Sequence, residues 1–282
     1  MGPLRTYLSF VRFSHSVFAL PFALTGALLA WQTHPFSWAQ VWWVVVCMVS
    51  ARCAAMGFNR LVDADHDALN PRTKMREIPR GALSRGQAIA FIAVSTVVFV
   101  YGAWRLSWTC FVLSPLALAI VWWYSLAKRY TSYTQLFLGL AMAVAPVGGW
   151  IAAGGGWGLE PWLLGLAIGL WVGGFDVLYA CQDLEFDRGY GLRSIPVRFG
   201  VSRSIAISRL MHVLTVLSMA ALWQAAHLPA TYLIGVGIVA ALLIYEQSLV
   251  SADDLSQVKK AFDMNGVVGI IYFVATAASL YL

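Results

Sequence analysis

The chain has 282 residues, 60% of them apolar and only 11% charged, with a formal net charge of +6 and a mean hydropathy of +0.72. That balance excludes an ordinary soluble globular domain, and the apolar residues fall into runs of about 20, the length that crosses a bilayer. The basic excess reads as a topology signal and an anionic-lipid contact, not a nucleic-acid footprint.

Nine apolar runs are predicted as transmembrane helices, at 14–32, 38–58, 87–104, 108–127, 134–153, 161–181, 203–224, 228–249 and 263–281. The fold class is an all-α integral membrane protein, one membrane-embedded domain over 1–282. In chain order, Arg5 and Arg12 accompany the first run, with His15 a weak candidate beside them. The second run closes on Asn59-Arg60-Leu61-Val62-Asp63-Ala64-Asp65-His66-Asp67, and a loop with Arg72, Lys74, Arg76, Arg80 and Arg85 follows. Tyr124, Lys128 and Arg129 end the fourth run. The sixth closes on Gln182-Asp183-Leu184-Glu185-Phe186-Asp187, followed by Arg188, Arg193, Arg198 and Arg203; Lys259 and Lys260 precede the ninth. The alternate loops hold only Arg105. Lys and Arg concentrate on the cytoplasmic side of membrane proteins, so the N-terminus and the motif loops 59–85 and 182–203 are expected in the cytoplasm, with the chain multi-pass in the cell's inner (cytoplasmic) membrane. Trp31, Trp38, Trp42, Trp104, Trp108, Trp157 and Trp162 fall near the other ends of the runs, as interface anchors do. No cleavable signal is expected. The formal myristoylation pattern at Gly2 is redundant beside so many spans. The four cysteines lack metal or redox spacing and read as packing.

Six of the thirteen acids crowd into the two motifs. Carboxylates that close repel one another and need a shared counter-ion. On a helix, residues four apart share a face, so Asn59, Asp63 and Asp67 form one polar stripe and Asp183 and Asp187 another. Oxygen ligands of this kind suit Mg2+, which binds through one or two carboxylates plus substrate phosphates. The neighbouring cations, Arg72, Arg76, Arg193 and Lys128, complement phosphate oxygens, with Tyr124 on the same face as Lys128. A solvated loop whose acids balance its arginines would explain one such cluster, but not two. After the first motif comes Arg76-Glu77-Ile78-Pro79-Arg80-Gly81-Ala82-Leu83-Ser84-Arg85, and after the second Arg193-Ser194-Ile195-Pro196-Val197-Arg198-Phe199-Gly200-Val201-Ser202-Arg203. This echo predicts two parallel, related halves facing each other across a central cavity, with Ser84 and Ser202 as helix N-caps.

These motifs resemble the UbiA superfamily of membrane prenyltransferases, which pair an Asn-Asp-x-x-Asp-x-x-x-Asp motif with a later Asp-x-x-x-Asp. Asn59, Asp63 and Asp67 match the first, Asp183 and Asp187 the second; Tyr124-Ser125-Leu126-Ala127-Lys128-Arg129, Tyr179-Ala180-Cys181-Gln182-Asp183 and the opening Phe18-Ala19-Leu20-Pro21-Phe22-Ala23 also match. Arg60 replaces the family's usual second acid, and Asp65 is the residue that could compensate. The resemblance implies a nine-helix bundle and Mg2+-dependent transfer of a prenyl group from a polyprenyl diphosphate to an electron-rich aromatic ring. Asn59, Asp63, Asp67, Asp183 and Asp187 would hold metal, and small residues such as Gly139, Gly148, Gly149, Gly165 and Gly169 would open a tail tunnel or simply pack helices.

A second storey of charge lies deeper. Arg52 precedes Asn59 by seven residues and Asp176 precedes Asp183 by seven, two helical turns on the same face. Ionisable groups inside a span are functional candidates. Arg52 is expected to hold the carboxylate of a small aromatic acid, and Asp176 to orient or deprotonate its phenol; the alternative is an Arg52–Asp176 ion pair. A 4-hydroxybenzoate-type acceptor in quinone biosynthesis is the leading expectation, with a dihydroxynaphthoate next. A transporter is the rival class, though transporters place ion sites near the midplane, away from the helix ends where these acids gather.

Overall fold

The computed structural model describes residues 3–11 and 19–282. Every regular element among them is helical, as segments in hydrocarbon require, since their backbone groups must bond within the segment. The helices are α1 (Pro3–Phe10), α2 (Leu20–Ala30), α3 (Trp38–Val62), α4 (Ala64–Leu69), α5 (Arg85–Leu106), α6 (Trp108–Tyr130), α7 (Thr134–Ala152), α8 (Glu160–Ala180), α9 (Leu184–Gly189), α10 (Ile195–Phe199), α11 (Val201–Ala225), α12 (Tyr232–Ser248) and α13 (Val258–Tyr281).

Among the described residues seven helical stretches are long and apolar enough to cross a membrane, those of α3, α5, α6, α7, α8 with its continuation, α11 and α13. The expected first and eighth spans are shorter apolar helices, α2 and α12. A turn closed by Tyr232 N–H on the Pro229 carbonyl takes up the residues before α12. The 17 residues that remain rise about 25 Å, short of a hydrocarbon core of about 30 Å. Arg12 and His15 lie outside the described residues.

Helix α8 runs through the centre of the bundle. Leu164, Ala167, Ile168 and Trp171 are fully buried. Trp171 meets Phe22 of α2 edge-on at 5.2 Å and donates from Nε1 to Asn265 Oδ1 of α13 at 2.6 Å. Thr215 of α11 donates to the Ala167 carbonyl at 3.2 Å. Small residues bring α7 close on both sides: a Cβ on Gly139 would strike the Gly169 carbonyl of α8, and one on Gly149 the Ala23 carbonyl of α2. These two glycines therefore serve helix approach, although Gly149 also faces the cavity described below. Helices α5 and α6 form an outer layer whose Val94, Val97, Trp104, Trp108 and Val112 are exposed. Pro115 inside α6 removes a backbone donor from the Phe111 carbonyl. The Ser114 hydroxyl supplies one instead, at 2.8 Å.

The helix starts that follow the two motifs differ. Ser84 caps α5 in a reciprocal box with Gln87, at 3.1 and 2.9 Å. Ser202, expected to cap α11, lies inside its first turn, because Gly200 at φ +78° takes the cap position instead. The capping serine of the second half is Ser194, which accepts from Val197 N–H and starts the one-turn helix α10 over Ile195-Pro196.

Candidate active site

The two motif helices do not run through their motifs unbroken. Helix α3 ends at Val62 and α4 starts at Ala64, with Asp63 at the joint, φ −90° and ψ −2°. Four-residue backbone bonds nevertheless cross it, Asp63 N–H to Asn59 O at 3.0 Å and Asp67 N–H to Asp63 O at 2.8 Å. The expected stripe of Asn59, Asp63 and Asp67 is thus preserved, and Asn59 Nδ2 donates to Asp63 Oδ2 at 3.3 Å. In the second motif a tight helical turn, Cys181–Asp183, separates α8 from α9, which carries Asp187.

Three of these carboxylates are matched by a cation. Lys128 Nζ at the end of α6 lies 2.8 Å from Asp63 Oδ2, and Arg129 Nη2 lies 3.6 Å from its Oδ1. Arg76 Nη1 donates to both oxygens of Asp67, at 2.7 and 2.8 Å. Arg72 reaches across to the second motif, its Nη2 2.5 Å from Asp183 Oδ2 and its Nη1 donating to the Tyr179 hydroxyl at 2.8 Å. Because Arg72 belongs to the loop after α4 and Asp183 closes the turn that follows α8, both motif helices finish on the same side of the bundle. Asp187 makes no ion pair among the described residues.

Burial makes this arrangement costly without its counter-charges. Asp63 is 3% exposed and Asp67 6%, and a buried carboxylate stripped of its partner costs several kcal/mol. Among the described residues Asp63 Oδ1 is buried and accepts no hydrogen bond, its cation Arg129 standing off at 3.6 Å. An oxygen-only set of one amide and four carboxylates, with one buried oxygen not hydrogen-bonded, fits Mg2+ completed by substrate phosphates. Among the described residues no three acids, histidines or cysteines close into a metal cage of their own.

Below the acids lies a cavity of about 630 Å³, lined by Arg52, Ala55 and Met56 of α3, by Tyr124 of α6, and by apolar residues of α2, α7 and α8. Tyr124 is within electrostatic reach of Arg52, Asp63 and Asp176, so α6 presents Tyr124 to the cavity and Lys128 to the acids. Leu116, Leu140 and Leu166 line the same space yet are 58%, 49% and 50% exposed, so the cavity opens toward the lipid-facing side. Asp176 is half-buried and feels the charges of Asp183 and Asp187. It is not among the cavity-lining residues, and no ion pair joins it to Arg52 among the described residues.

Two expected residues are engaged elsewhere. Asp65 does not compensate for Arg60: its side chain is 80% exposed and pairs with Arg85 at 2.5 Å, because a helix turns it away from Asp63. Arg193 Nη1 donates to the Tyr130 carbonyl at 2.6 Å, a cation on the C-terminal end of α6, and its guanidinium is spent tying the second loop to that helix. Arg129 and Tyr179 are additions to the expected set. Tyr179 stands four residues before Asp183, a same-face spacing that pointed to it. Arg129 was visible only as the neighbour of Lys128.

The model of the UbiA prenyltransferase family matches residues 19–273. A 4-hydroxybenzoate octaprenyltransferase from Pseudoalteromonas translucida is 32% identical over 82% of this chain and 77% of its own length. The apo structure of a UbiA homologue from Aeropyrum pernix superposes with a TM-score of 0.86 at 35% identity, over 94% of this chain and 98% of that one. A homologue from Archaeoglobus fulgidus bound to GPP and Mg2+ shares the fold, with a TM-score of 0.72 at 19% identity over 97% and 99% of the two chains.

Proposed function

The chain belongs to the UbiA prenyltransferase family, and from that membership we propose that it transfers a polyprenyl group from polyprenyl diphosphate to the ring of a 4-hydroxybenzoate-type acid in ubiquinone biosynthesis. The observation that carries the reading is the meeting of two acidic motifs, bridged by Arg72 on Asp183, above an apolar cavity with Arg52 and Tyr124 at its motif end. The 4-hydroxybenzoate octaprenyltransferase relative supports the acceptor class. The homologue bound to GPP and Mg2+ supports a diphosphate donor and this metal.

Asn59, Asp63, Asp67, Asp183 and Asp187 would hold Mg2+, which supplies neutralisation of the diphosphate oxygens and so a better leaving group. The protein's own residues do the rest. Lys128, Arg72 and Arg76 are fixed on the acids before substrate arrives. An incoming diphosphate offers them new oxygens, and they stabilise the charge that grows as the allylic carbon–oxygen bond breaks. The apolar walls contributed by Ala55, Met56 and Met142 keep water from the carbocation and hold the tail, whose far end can leave toward lipid past Leu140 and Leu166. Arg52 binds the acceptor carboxylate, placing the ring beside the cation, and Tyr124 bridges the two storeys. Asp176, close to the second motif, orients the phenol. The motif side faces the cytoplasm of the inner membrane, a reading that the Lys and Arg distribution supports.

The test is transfer in purified membranes supplied with polyprenyl diphosphate, Mg2+ and 4-hydroxybenzoate. Prenylated acid is expected from the wild type and not from Asp183→Asn. Failure of 4-hydroxybenzoate with success of another ring acid would overturn the acceptor assignment alone.

A further inference from the structure

The loop that carries Arg72 and Arg76 contains no regular helix between α4 and α5, yet both arginines are held on carboxylates of two different motifs. Turns and side-chain bonds brace it from within: the Thr73 hydroxyl donates to the Asp67 carbonyl at 3.2 Å, and Leu83 N–H to the Glu77 carbonyl at 3.1 Å. From outside it is covered by α1. Phe10 and Val11 are 0% and 2% exposed, packed with Leu83 and Ala88 and against Leu61 and Ile78. Tyr7 stacks on Phe91 at 5.3 Å, and Phe10 meets the same ring edge-on at 6.0 Å. Phe10 also sits beside Gly57, two residues before Asn59, where an added Cβ would lie 3.5 Å from its ring.

The polar contact between α1 and the loop falls next to the diphosphate arginines. Ser9 Oγ donates to Glu77 Oε1 at 2.6 Å, and Glu77 is only 5% exposed. Glu77 follows Arg76 in sequence, and Arg76 holds both oxygens of Asp67, so the Ser9–Glu77 bond ties α1 to the loop one residue from a motif contact.

We propose that α1 is a strap that positions the Arg72–Arg76 loop over the acidic motifs, with Ser9 and Phe10 as positioning residues that themselves touch neither metal nor substrate. Its kinetic consequence rests on the diphosphate reading given above. The strap itself does not, because loop order can be read without any transfer.

The experiment uses the full chain in lipid nanodiscs and compares wild type with Ser9→Ala, Ser9→Thr and Phe10→Ala. Hydrogen–deuterium exchange of residues 70–83 is followed with and without Mg2+ and inorganic diphosphate, beside steady-state transfer. Faster exchange of this loop is expected in Ser9→Ala and Phe10→Ala, and wild-type exchange in Ser9→Thr, which keeps the hydroxyl. In Ser9→Ala the KM for polyprenyl diphosphate should rise about fivefold, the factor for one lost intramolecular hydrogen bond, with kcat and the acceptor KM within about twofold of wild type. Lower melting temperatures with unchanged loop exchange and unchanged diphosphate KM would reduce α1 to a packing element and overturn the proposal. If Phe10→Ala fails to assemble, the Ser9 pair decides. Retained transfer in Asp183→Asn would instead overturn the diphosphate reading, leaving loop exchange to judge the strap alone.

Discussion

Replacing Lys128 by Gln removes one cation from the most buried acid of the site. The Nζ–Oδ2 separation is 2.8 Å; at an effective dielectric constant near 20 the gross attraction is about 6 kcal/mol. Most of that does not appear as stability. Lys128 is 27% exposed on its side chain, Arg129 remains 3.6 Å from the same carboxylate, and Asn59 still donates to it. The net loss in the metal-free protein is therefore about 1–3 kcal/mol, the range for a hydrogen bond to a charged group. Catalysis should suffer more, because the charge that grows on the departing diphosphate has lost a fixed donor: about 100-fold to 1,000-fold in kcat, or about 3–4 kcal/mol. The assay is single-turnover diphosphate release in nanodiscs, beside thermal melting with and without Mg2+. On the proposed reading Mg2+ and Lys128 both neutralise Asp63, so Mg2+ should raise the melting temperature of Lys128→Gln more than that of wild type. Lys128→Arg should recover part of the rate. A variant that melts lower, shows the same Mg2+ shift and releases diphosphate at the wild-type rate would refute the reasoning.

Three further outcomes follow from the same geometry. Arg52→Gln should raise the KM for the aromatic acid about tenfold or more, as loss of a charged contact does, while leaving the diphosphate KM unchanged; equal changes in both would remove Arg52 from the acceptor pocket. Ala141 is 8% exposed and lines the cavity, so Ala141→Trp should depress use of long-chain diphosphates while sparing short-chain ones, a ratio measurable by product analysis. Asn265→Leu deletes the acceptor of the Trp171 indole N–H. It should lower stability by about 1–3 kcal/mol through the unpaired buried donor, read by denaturation of the purified protein. Trp171 and Asn265 touch neither the Lys128–Asp63 pair nor the cavity lining, so both substrate KM values should hold.

The acids were legible because charge is scarce in this chain, and because a spacing of four residues survives even a break in the helix at Asp63. Lys128 and Tyr124 could be assigned to one face for the same reason. What escaped was tertiary. Nothing local reveals that Arg193 turns to the Tyr130 carbonyl while Arg72, in the matching basic loop, crosses to Asp183. Gly200, not Ser202, starts α11 because a left-handed backbone there preempts a side-chain cap. The short α12 reflects a turn at Pro229 that hydropathy reads as continuous. The α1 contact joins Ser9 to Glu77, 68 residues apart, through one hydroxyl and one buried acid that carry no periodic signal.

Whether the two motifs form one diphosphate site is decided by diphosphate release from polyprenyl diphosphate, measured with Mg2+ in nanodiscs for wild type, Asp63→Asn, Asp183→Asn and the double variant. Each single change is expected to abolish release, with the double variant no worse than either, as for groups that act as a unit. Release that persists in either single variant would contradict the account.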